Sequence, residues 1–378
     1  MRTTDRRVWI TGIGPLTAAG TGVEGFRAGL RAGRSPITRI DRFDPSPFRS
    51  QVAAQIDDFD PAAWMPPKTA RQLDRFSQFG LVAGQLALED AALRPGSGGA
   101  ASPDRIGIFL GSALAGIAYA ETQHERYLER GIKAVAPNLA LAVFGGAAPA
   151  NLGIALGVRG PILSTANSCA SGAVALGEAL NAIRDGEIDA AIAGGAEVPL
   201  SPLAFGAFDI IRALSDTRND DPGAACRPFD DRRDGFVMGE GATLLVLEAE
   251  DVARARGATP YAELMGYGAT SDAHHMVQPR ADGREAARAA TEALADAGVG
   301  AGEVDWVSAH ASSTPLGDIA EARALALALG DRAADVPVSG TKALYGHPLG
   351  ASGAIEAAIC ALAIRDGWVP ASANLAEP

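Results

Sequence analysis

The chain has 378 residues, and its 45 acidic against 33 basic side chains give a formal net charge of −12. This negative balance argues against a nucleic-acid groove, because binding of a phosphate backbone requires a basic surface. The three cysteines, Cys169, Cys226 and Cys360, form no C-x-x-C pair, which indicates a reducing, cytoplasmic compartment and argues against a disulfide framework or a zinc knuckle.

No linker rich in serine, proline or charge divides the chain, so we predict two tightly joined halves, residues 1–258 and 259–378. The apolar run behind the N-terminal arginines is too short for a signal peptide or a membrane span. Residues 139–158 carry no charge, but Pro149 and repeated glycines favour a buried helix or an interface helix over a membrane-spanning one. The sequence therefore predicts a protein that does not associate with membranes.

Short apolar runs rich in β-branched residues alternate with amphipathic, alanine-rich segments along the chain. This alternation is typical of an α/β fold with largely buried sheets. The order of elements in the first half recurs in the second, which favours an internal duplication in which strand ends of both halves converge on one site. In the first half we predict strands within 6–14, 105–116 and 188–200 and a helix at 75–93. The second half repeats this alternation, with segments at 243–257, 261–272, 304–310 and 336–347 and helices at 284–298 and 353–367.

The stretch 160–183, GPILSTANSCASGAVALGEALNAI, begins as a strand, turns tightly and continues as a small-residue helix from Gly172. Cys169 is therefore predicted to lie where a strand meets a helix N-terminus. The free N–H groups and the positive end of that helix favour a thiolate, which is the nucleophilic form of cysteine. The alternative is a buried structural cysteine.

Two later strand ends carry a histidine. His310 follows the apolar run VDWVSA, and His347 ends VPVSGTKALYGH, with Lys342 upstream in the same loop. One such histidine is more often structural than catalytic, but three loops with one cysteine and two histidines, in a chain of five histidines, indicate a shared nucleophilic site. The adjacent His274 and His275 cannot face one site from a regular element, so we predict no metal site.

These loops resemble motifs of the β-ketoacyl-acyl-carrier-protein synthases. NSCASG around Cys169 is similar to the nucleophile motif, HASSTPLGD from His310 to the first histidine loop, and GTKALYGHPLGASG around His347 to the lysine and second histidine loop. AIAGGAE and RPFDDRRDGFVMGEGA match two further signatures, and the resemblance runs from the first strand to the last residue. The chain resembles the elongating members of this family, such as ketosynthase II and the type II polyketide ketosynthases. It implies the thiolase-like fold, α/β with five layers in the order αβαβα and two pseudo-duplicated halves.

The resemblance also implies roles. Cys169 is the nucleophile that takes an acyl chain from a phosphopantetheine thioester. His310 and His347 face a malonyl thioester, and their N–H groups stabilise the enolate formed on decarboxylation, without a metal. The carbanion then attacks the acyl-cysteine in a decarboxylative Claisen condensation. Lys342 is implied as an active-site lysine with Glu356 as a plausible partner, and the alternative is a solvated surface lysine.

Four more positions are implied to contact substrate. Ser312 and Thr314 match residues that hydrogen-bond the pantetheine arm, although as plain sequence they could equally be turn hydroxyls. Leu114 and Phe208 resemble residues of the acyl tunnel, for which ordinary core packing is the alternative. No cofactor is implied beyond the phosphopantetheine that arrives on the acyl carrier protein.

For an acidic acyl carrier protein, Lys68, Arg71 and Arg212 match the docking positions of the family. Such charges steer encounter more than they set affinity, and any solvated helix face also shows them. The implied partners are an acyl carrier protein and a second subunit, either another copy of this chain in a homodimer or a chain-length-factor-like protein in a heterodimer.

The sequence ends at ANLAEP, before the last strands and the Gly-Phe-Gly-Gly loop of the family. We therefore expect an unpaired sheet edge in the second half and the loss of one oxyanion donor, which typically costs about a hundredfold in rate. A partial sequence, a partner that supplies the edge and an impaired polypeptide are the three explanations. Two functions stay open at this point: an elongating ketosynthase, and a non-catalytic, carrier-binding scaffold subunit similar to a chain-length factor.

Overall fold

The structure, a computed structural model, describes residues 6–97 and 101–378. Its long strands Val8–Thr17, Ala190–Glu197 and Gly241–Ala249 are buried at every position. Strands covered on both faces require such nearly continuous apolar or small-residue runs. The strands are β1 (Val8–Thr17), β2 (Gly20–Thr21), β3 (Thr38–Arg39), β4 (Val52–Ala53), β5 (Ile106–Gly111), β6 (Ile162–Thr165), β7 (Ala190–Glu197), β8 (Gly241–Ala249), β9 (Ala262–Glu263), β10 (Val307–Ala309) and β11 (Val338–Gly340).

Within the described ranges, seven strands form one mixed sheet in the order β2-β1-β8-β7-β5-β6, and β9 also pairs with β1. β5 runs parallel to β6 and β7, whereas β8 runs antiparallel to β1 and β7. A separate parallel pair, β10 and β11, places Ala309 beside Gly340, and β3 pairs with β4. Because β10 and β11 end in register, the residues after them, His310 and Thr341, emerge at the same edge.

Helix ends follow the capping signals of the sequence. Asp74 accepts a backbone N–H at the start of one helix and Thr314 does so at the start of another, which satisfies donors that a helix leaves free. Gly298 and Gly367, both in the left-handed conformation, end two others. The α-helices are α1 (Gly22–Ala32), α2 (Pro67–Gln72), α3 (Arg75–Asp90), α4 (Ile117–Arg130), α5 (Leu139–Ala142), α6 (Ala147–Leu156), α7 (Ser171–Arg184), α8 (Pro202–Ile210), α9 (Glu250–Ala255), α10 (Arg284–Ala297), α11 (Pro315–Leu329) and α12 (Ser352–Asp366).

The large sheet has a helical layer on each face. Along β8, Leu244 and Val246 pack in the apolar core with α3 and α6, and Leu245 and Leu247 pack in the core with α7 and α12, as the two-residue period of a strand requires. α12 also contacts β10, and α10 packs against α11, whose Glu321 accepts the backbone N–H of His310 directly after β10. The layers are therefore helix, sheet, helix, sheet, helix, which confirms the predicted five-layer α/β architecture.

The central helices start in close contact because glycines line their junction. A Cβ at Gly172 would lie 2.9 Å from the carbonyl oxygen of Gly350, and a Cβ at Gly350 would lie 2.5 Å from the backbone nitrogen of Ala113. Only glycine permits such a backbone approach. The starts of α7 and α12 and the loop after β5 thus converge, and the functional side chains lie around this junction.

The predicted helices at 75–93, 284–298 and 353–367 are present as α3, α10 and α12. Residues 261–272 form only the short strand β9, which pairs with β1 of the first half. The boundary at residue 258 stays a prediction. In the part of the chain that the structure describes, every helix is too short or too polar to cross a membrane.

The uncharged stretch 139–158 differs from the single helix that we expected. It forms two short helices, α5 and α6, because the adjacent glycines of FGG interrupt it. Leu141, Phe144 and Ile154 are exposed here, whereas Ala148 and Leu152 are buried, so the stretch is buried on one side only. The exposed apolar side chains fit the interface alternative, which stays a prediction.

Candidate active site

Cys169 lies in a strained turn between β6 and α7. Ser168 adopts a positive φ of 50°, and residues Ser168–Ala170 form a short 3-10 turn before the helix begins at Ser171. The buried Ser171 hydroxyl donates to the Ser168 carbonyl at 2.7 Å and accepts the Asn167 N–H at 2.8 Å. A sharp, stapled turn of this kind presents one side chain from a strand-to-helix junction, where we predicted Cys169 to lie.

The protonation state of Cys169 corrects the sequence-based expectation of a thiolate. Burial raises the pKa of the Cys169 thiol to about 11. The Lys342 charge opposes this shift, while the Glu197 and Glu356 carboxylates reinforce it. The resting group is therefore a thiol, because burial of the sulfur is the largest influence on its pKa.

His347 supplies a partner for that thiol. Its Nε2 lies 3.1 Å from Cys169 Sγ, and its Nδ1 lies 2.8 Å from Ser352 Oγ. Its backbone N–H donates to the Val237 carbonyl at 2.7 Å, and its ring packs edge-on against Phe236. Burial, with the Lys342 charge second, lowers the pKa of His347 well below its usual range. The pair at rest is thus a neutral thiol beside a neutral imidazole.

His310 follows β10 and completes the cluster. Its ring centroid lies 5.3 Å from that of His347, and the Cys169 sulfur and one ring nitrogen of each histidine all lie within 4.8 Å of one another. The Glu321 carboxylate accepts the backbone N–H groups of His310 at 2.7 Å and of Ala311 at 2.6 Å. The structure thus brings the three predicted residues together. The prediction of a site without metal stays a prediction.

Lys342 is fully buried and is not the solvated surface lysine of the alternative interpretation. Its ammonium contacts Glu356 Oε1 and the His310 carbonyl oxygen, and lies 3.4 Å from His310 Nδ1. The Lys342 charge lowers the pKa of His310 well below its usual range. The His310 ring is exposed on one side, so we attribute this shift to the ammonium rather than to burial.

The predicted acyl-binding residues lie beside the nucleophile. Leu114 and Phe208 pack with Cys169 against one apolar cluster that includes Leu349. The Phe208 ring lies 5.7 Å from that of Phe236, which in turn contacts His347. An apolar wall therefore extends from the sulfur, as an acyl chain requires.

The hydroxyl groups of Ser312 and Thr314, predicted to bind the pantetheine arm, also take part in the turn that they form. Thr314 Oγ1 accepts the Gly317 N–H at 3.2 Å and lies 3.0 Å from Ser312 Oγ, which matches the turn-hydroxyl alternative. Thr314 also lines a cavity of about 440 Å³, together with Arg212 and His275. This cavity opens beside the His310 loop.

The three predicted docking charges lie at two different openings. Arg212 is exposed at the cavity that Thr314 lines. Lys68 and Arg71 are exposed on α2, which borders a second cavity of about 390 Å³ next to α5 and α6. Lys68 and Arg71 thus lie on a different element from Arg212 and do not line the cavity that Arg212 lines.

Sequence reasoning missed the residues that hold the site. Ser352 positions the His347 ring, Glu321 holds the His310 loop, and Phe236 covers His347. Ser352 belongs to the quoted GASG motif, and its place at a helix start was a usable signal. Phe236 belongs to the quoted signature RPFDDRRDGFVMGEGA, which was also a usable signal. Glu321 lies in α11 and carries no local sign of its contact.

Residues 5–253 match the family described as "Beta-ketoacyl synthase, N-terminal domain", and residues 261–376 match "Beta-ketoacyl synthase, C-terminal domain". The chain belongs to the β-ketoacyl synthase family. It is similar to the 3-oxoacyl-(acyl-carrier-protein) synthase 2 of Vibrio cholerae, with 41% identity over 99% of this chain and 89% of that protein. The synthase of the same name from Staphylococcus aureus strain COL is 39% identical over the same shares of both chains.

Solved structures agree with the predicted fold. The ishigamide ketosynthase/chain length factor superposes with a TM-score of 0.89 at 35% identity, over 98% of this chain and 89% of that chain. A type II PKS acyl-carrier protein in complex with its ketosynthase gives a TM-score of 0.88 at 32% identity, over 99% and 90% of the two chains. The predicted family and the thiolase-like fold are therefore confirmed.

Proposed function

We propose that this chain is an elongating β-ketoacyl-acyl-carrier-protein synthase that holds an acyl chain on Cys169 and extends it by decarboxylative condensation with a malonyl thioester. The observation that carries this proposal is the convergence of one sulfur and two imidazoles within 4.8 Å. Family membership and the names of the relatives support the same activity.

Acyl transfer begins from the neutral thiol. Cys169 sulfur attacks the carbonyl carbon of the acyl thioester while His347 Nε2, 3.1 Å away, takes the thiol proton. The phosphopantetheine sulfur leaves and receives that proton, so the imidazole is neutral again. A base next to the sulfur is necessary because the raised thiol pKa leaves little thiolate near neutral pH.

Condensation then uses both imidazoles as hydrogen-bond donors. Carbon dioxide leaves the malonyl group, and its electron pair forms an enolate on the thioester. The ring N–H of His310 stabilises that oxygen, and His347 does so after its ring proton passes from Nδ1 to Nε2, with the Ser352 hydroxyl then donating to Nδ1. The enolate carbon attacks the acyl carbonyl, the carbon–carbon bond forms, and Cys169 leaves as a thiolate that is protonated again.

The carrier arm is proposed to enter through the cavity beside Thr314. Arg212 at its rim gives a positive contact for an acidic carrier protein, and the exposed apolar side chains Ile211 and Val277 also line it. No cofactor is needed beyond the phosphopantetheine that the carrier brings. A cytoplasmic location stays a prediction.

The second subunit is proposed to cover the edge strand β6. Ile162 and Leu163 of that strand are exposed, and so are Leu141, Phe144 and Ile154 beside it. An open sheet edge flanked by apolar side chains invites pairing with another chain. Either a second copy or a chain-length-factor-like subunit fits this surface, and two similar structures are ketosynthases with a chain length factor.

The activity is tested by comparing wild type, Cys169→Ala and His310→Ala in a malonyl-decarboxylation and condensation assay with acyl carrier proteins. We expect condensation by wild type and none by Cys169→Ala. Condensation that survives Cys169→Ala would overturn the nucleophile. Carrier binding without any turnover by the wild-type protein would favour the non-catalytic scaffold instead.

A further inference from the structure

A buried tyrosine lies behind the Lys342–Glu356 pair and has no role in the chemistry above. Tyr345 is fully buried, and its hydroxyl lies 3.2 Å from Glu356 Oε1 and 3.1 Å from Thr341 Oγ1. Buried phenol groups are normally hydrogen-bonded. These two contacts therefore account for the polar end of the ring.

The direction of these hydrogen bonds follows from the chemistry of the partners. A phenol has one proton, and an ionised carboxylate only accepts. Tyr345 therefore donates to Glu356, and the Thr341 hydroxyl donates to Tyr345. Burial, with the Glu356 charge second, raises the pKa of Tyr345 well above its usual range, so the phenol keeps its proton.

The same Glu356 oxygen also accepts from the Lys342 ammonium, which contacts the His310 carbonyl oxygen and lies near His310 Nδ1. An ammonium only donates. Its contact with Nδ1 therefore requires a lone pair there, and the ring proton must sit on Nε2. A chain of contacts thus connects the Tyr345 hydroxyl to the tautomer of His310.

We propose that Tyr345 is a positioning residue: its hydroxyl fixes the Glu356 carboxylate, so that Lys342 is held against His310 and keeps the ring proton on Nε2. This inference rests on the proposed function of His310 as a hydrogen-bond donor to the enolate. Lys342 and Tyr345 both contact the same oxygen, Glu356 Oε1, so the hydroxyl adds a second, directional contact to that of the ammonium.

The ionisation of Glu356 provides a second readout. Burial raises the pKa of Glu356, while Lys342 and the Tyr345 hydroxyl both lower it. Without the hydroxyl the pKa rises further, and the carboxyl loses its charge at a higher pH. Other groups that interact with Glu356 or Tyr345 electrostatically are Cys169, Cys226, Glu321 and Cys360.

The test compares Tyr345→Phe with Tyr261→Phe. Tyr261 is a matched control because it is also buried and its hydroxyl donates to a carboxylate, Asp90 Oδ1, at 2.9 Å. Each change removes one oxygen and keeps the ring. We measure thermal unfolding, malonyl decarboxylation as a function of pH, and acyl-enzyme formation by intact mass.

We expect similar losses of thermal stability in both variants. Only Tyr345→Phe should slow decarboxylation, by about tenfold in kcat with little change in KM, the size expected for one hydrogen bond to a charged group. In Tyr345→Phe the acidic limb of the pH profile of decarboxylation should move to higher pH, and acyl-enzyme formation should equal that of the wild-type protein. An unchanged rate and pH profile in Tyr345→Phe, or an equal loss in Tyr261→Phe, would overturn the inference.

Nitrogen NMR of the His310 ring separates this inference from the proposed activity. We expect the proton on Nε2 in the wild-type protein and a mixture of tautomers in Tyr345→Phe. The same tautomer in both proteins contradicts the positioning role, even where no turnover is measurable. An inactive wild-type protein with the expected tautomer change would instead contradict the proposed activity alone.

Discussion

The two histidines of the site are held in different ways. His347 is buried, its backbone is pinned to the Val237 carbonyl, and its ring lies between Phe236, Ser352 and Cys169. His310 follows a three-residue strand and is exposed on one side. Burial is the main cause of the low pKa of His347, whereas the Lys342 charge is the main cause for His310. Packing is thus the main influence on the pKa of His347, and the charge of Lys342 is the main influence on that of His310.

The largest expected effect separates the roles of the two rings. His347→Ala should slow acylation of Cys169 by about a hundredfold or more, the typical contribution of a positioned base. His310→Ala should leave acylation within a few-fold and slow decarboxylation instead. Single-turnover acylation and decarboxylation rates measure the two steps. Equal losses in both steps for both variants would remove the distinction.

The second effect concerns the thiol next to His347. Only the thiolate reacts with iodoacetamide, and the Cys169 pKa is raised to about 11. Alkylation should therefore keep rising with pH, by about tenfold per unit between pH 7 and 9, and show no plateau at neutral pH. Intact mass follows the modification, with Cys169→Ala as the control. A plateau below pH 8 would support the thiolate that the sequence suggested.

The third prediction concerns the charge of Lys342 beside His310. Lys342→Met should cost about 3 kcal/mol of stability, because it leaves the Glu356 carboxylate buried without its cation. The double variant Lys342→Met/Glu356→Gln should recover much of that loss. In both variants the His310 pKa should rise towards its usual range, because the charge that lowers it is gone. Urea unfolding and NMR titration provide the measurements, and an unchanged His310 pKa would refute the assignment.

The smallest expected effect is on the association of the carrier protein at the cavity that Arg212 lines. Arg212→Glu should lower the association rate with an acidic carrier protein by about fivefold at low salt, with less difference at high salt. Lys68→Glu is the control, since Lys68 lies on α2, whose residues Thr69 and Gln72 line the other cavity. Stopped-flow binding at two salt concentrations compares them. Equal effects of both changes would show that the two openings act together, as in an assembly of two chains.

Much of the fold was predictable because its periodic patterns are long. The strand, turn and helix around Cys169 and the helices α3, α10 and α12 follow from apolar spacing and from glycine and capping residues. The break within 139–158 was not predicted, although the adjacent glycines of FGG mark it in the sequence. The resemblance located the three reacting side chains, and their convergence is observed in the structure.

The energetics of the site were less predictable. A helix N-terminus argued for a thiolate at Cys169, but the cleft buries the sulfur and reverses that conclusion. The supports at Glu321 and Phe236 come from distant parts of the chain. Local sequence cannot show which of many buried carboxylates will meet a given backbone loop.

Intact mass spectrometry of the wild-type protein after incubation with an acyl-carrier thioester tests the central claim most directly. We predict one added acyl group, mapped to Cys169 and absent from Cys169→Ala, that disappears on addition of malonyl-carrier protein as the elongated product forms. Acylation at another residue, or an acyl-Cys169 that persists with malonyl-carrier protein present, would contradict the account.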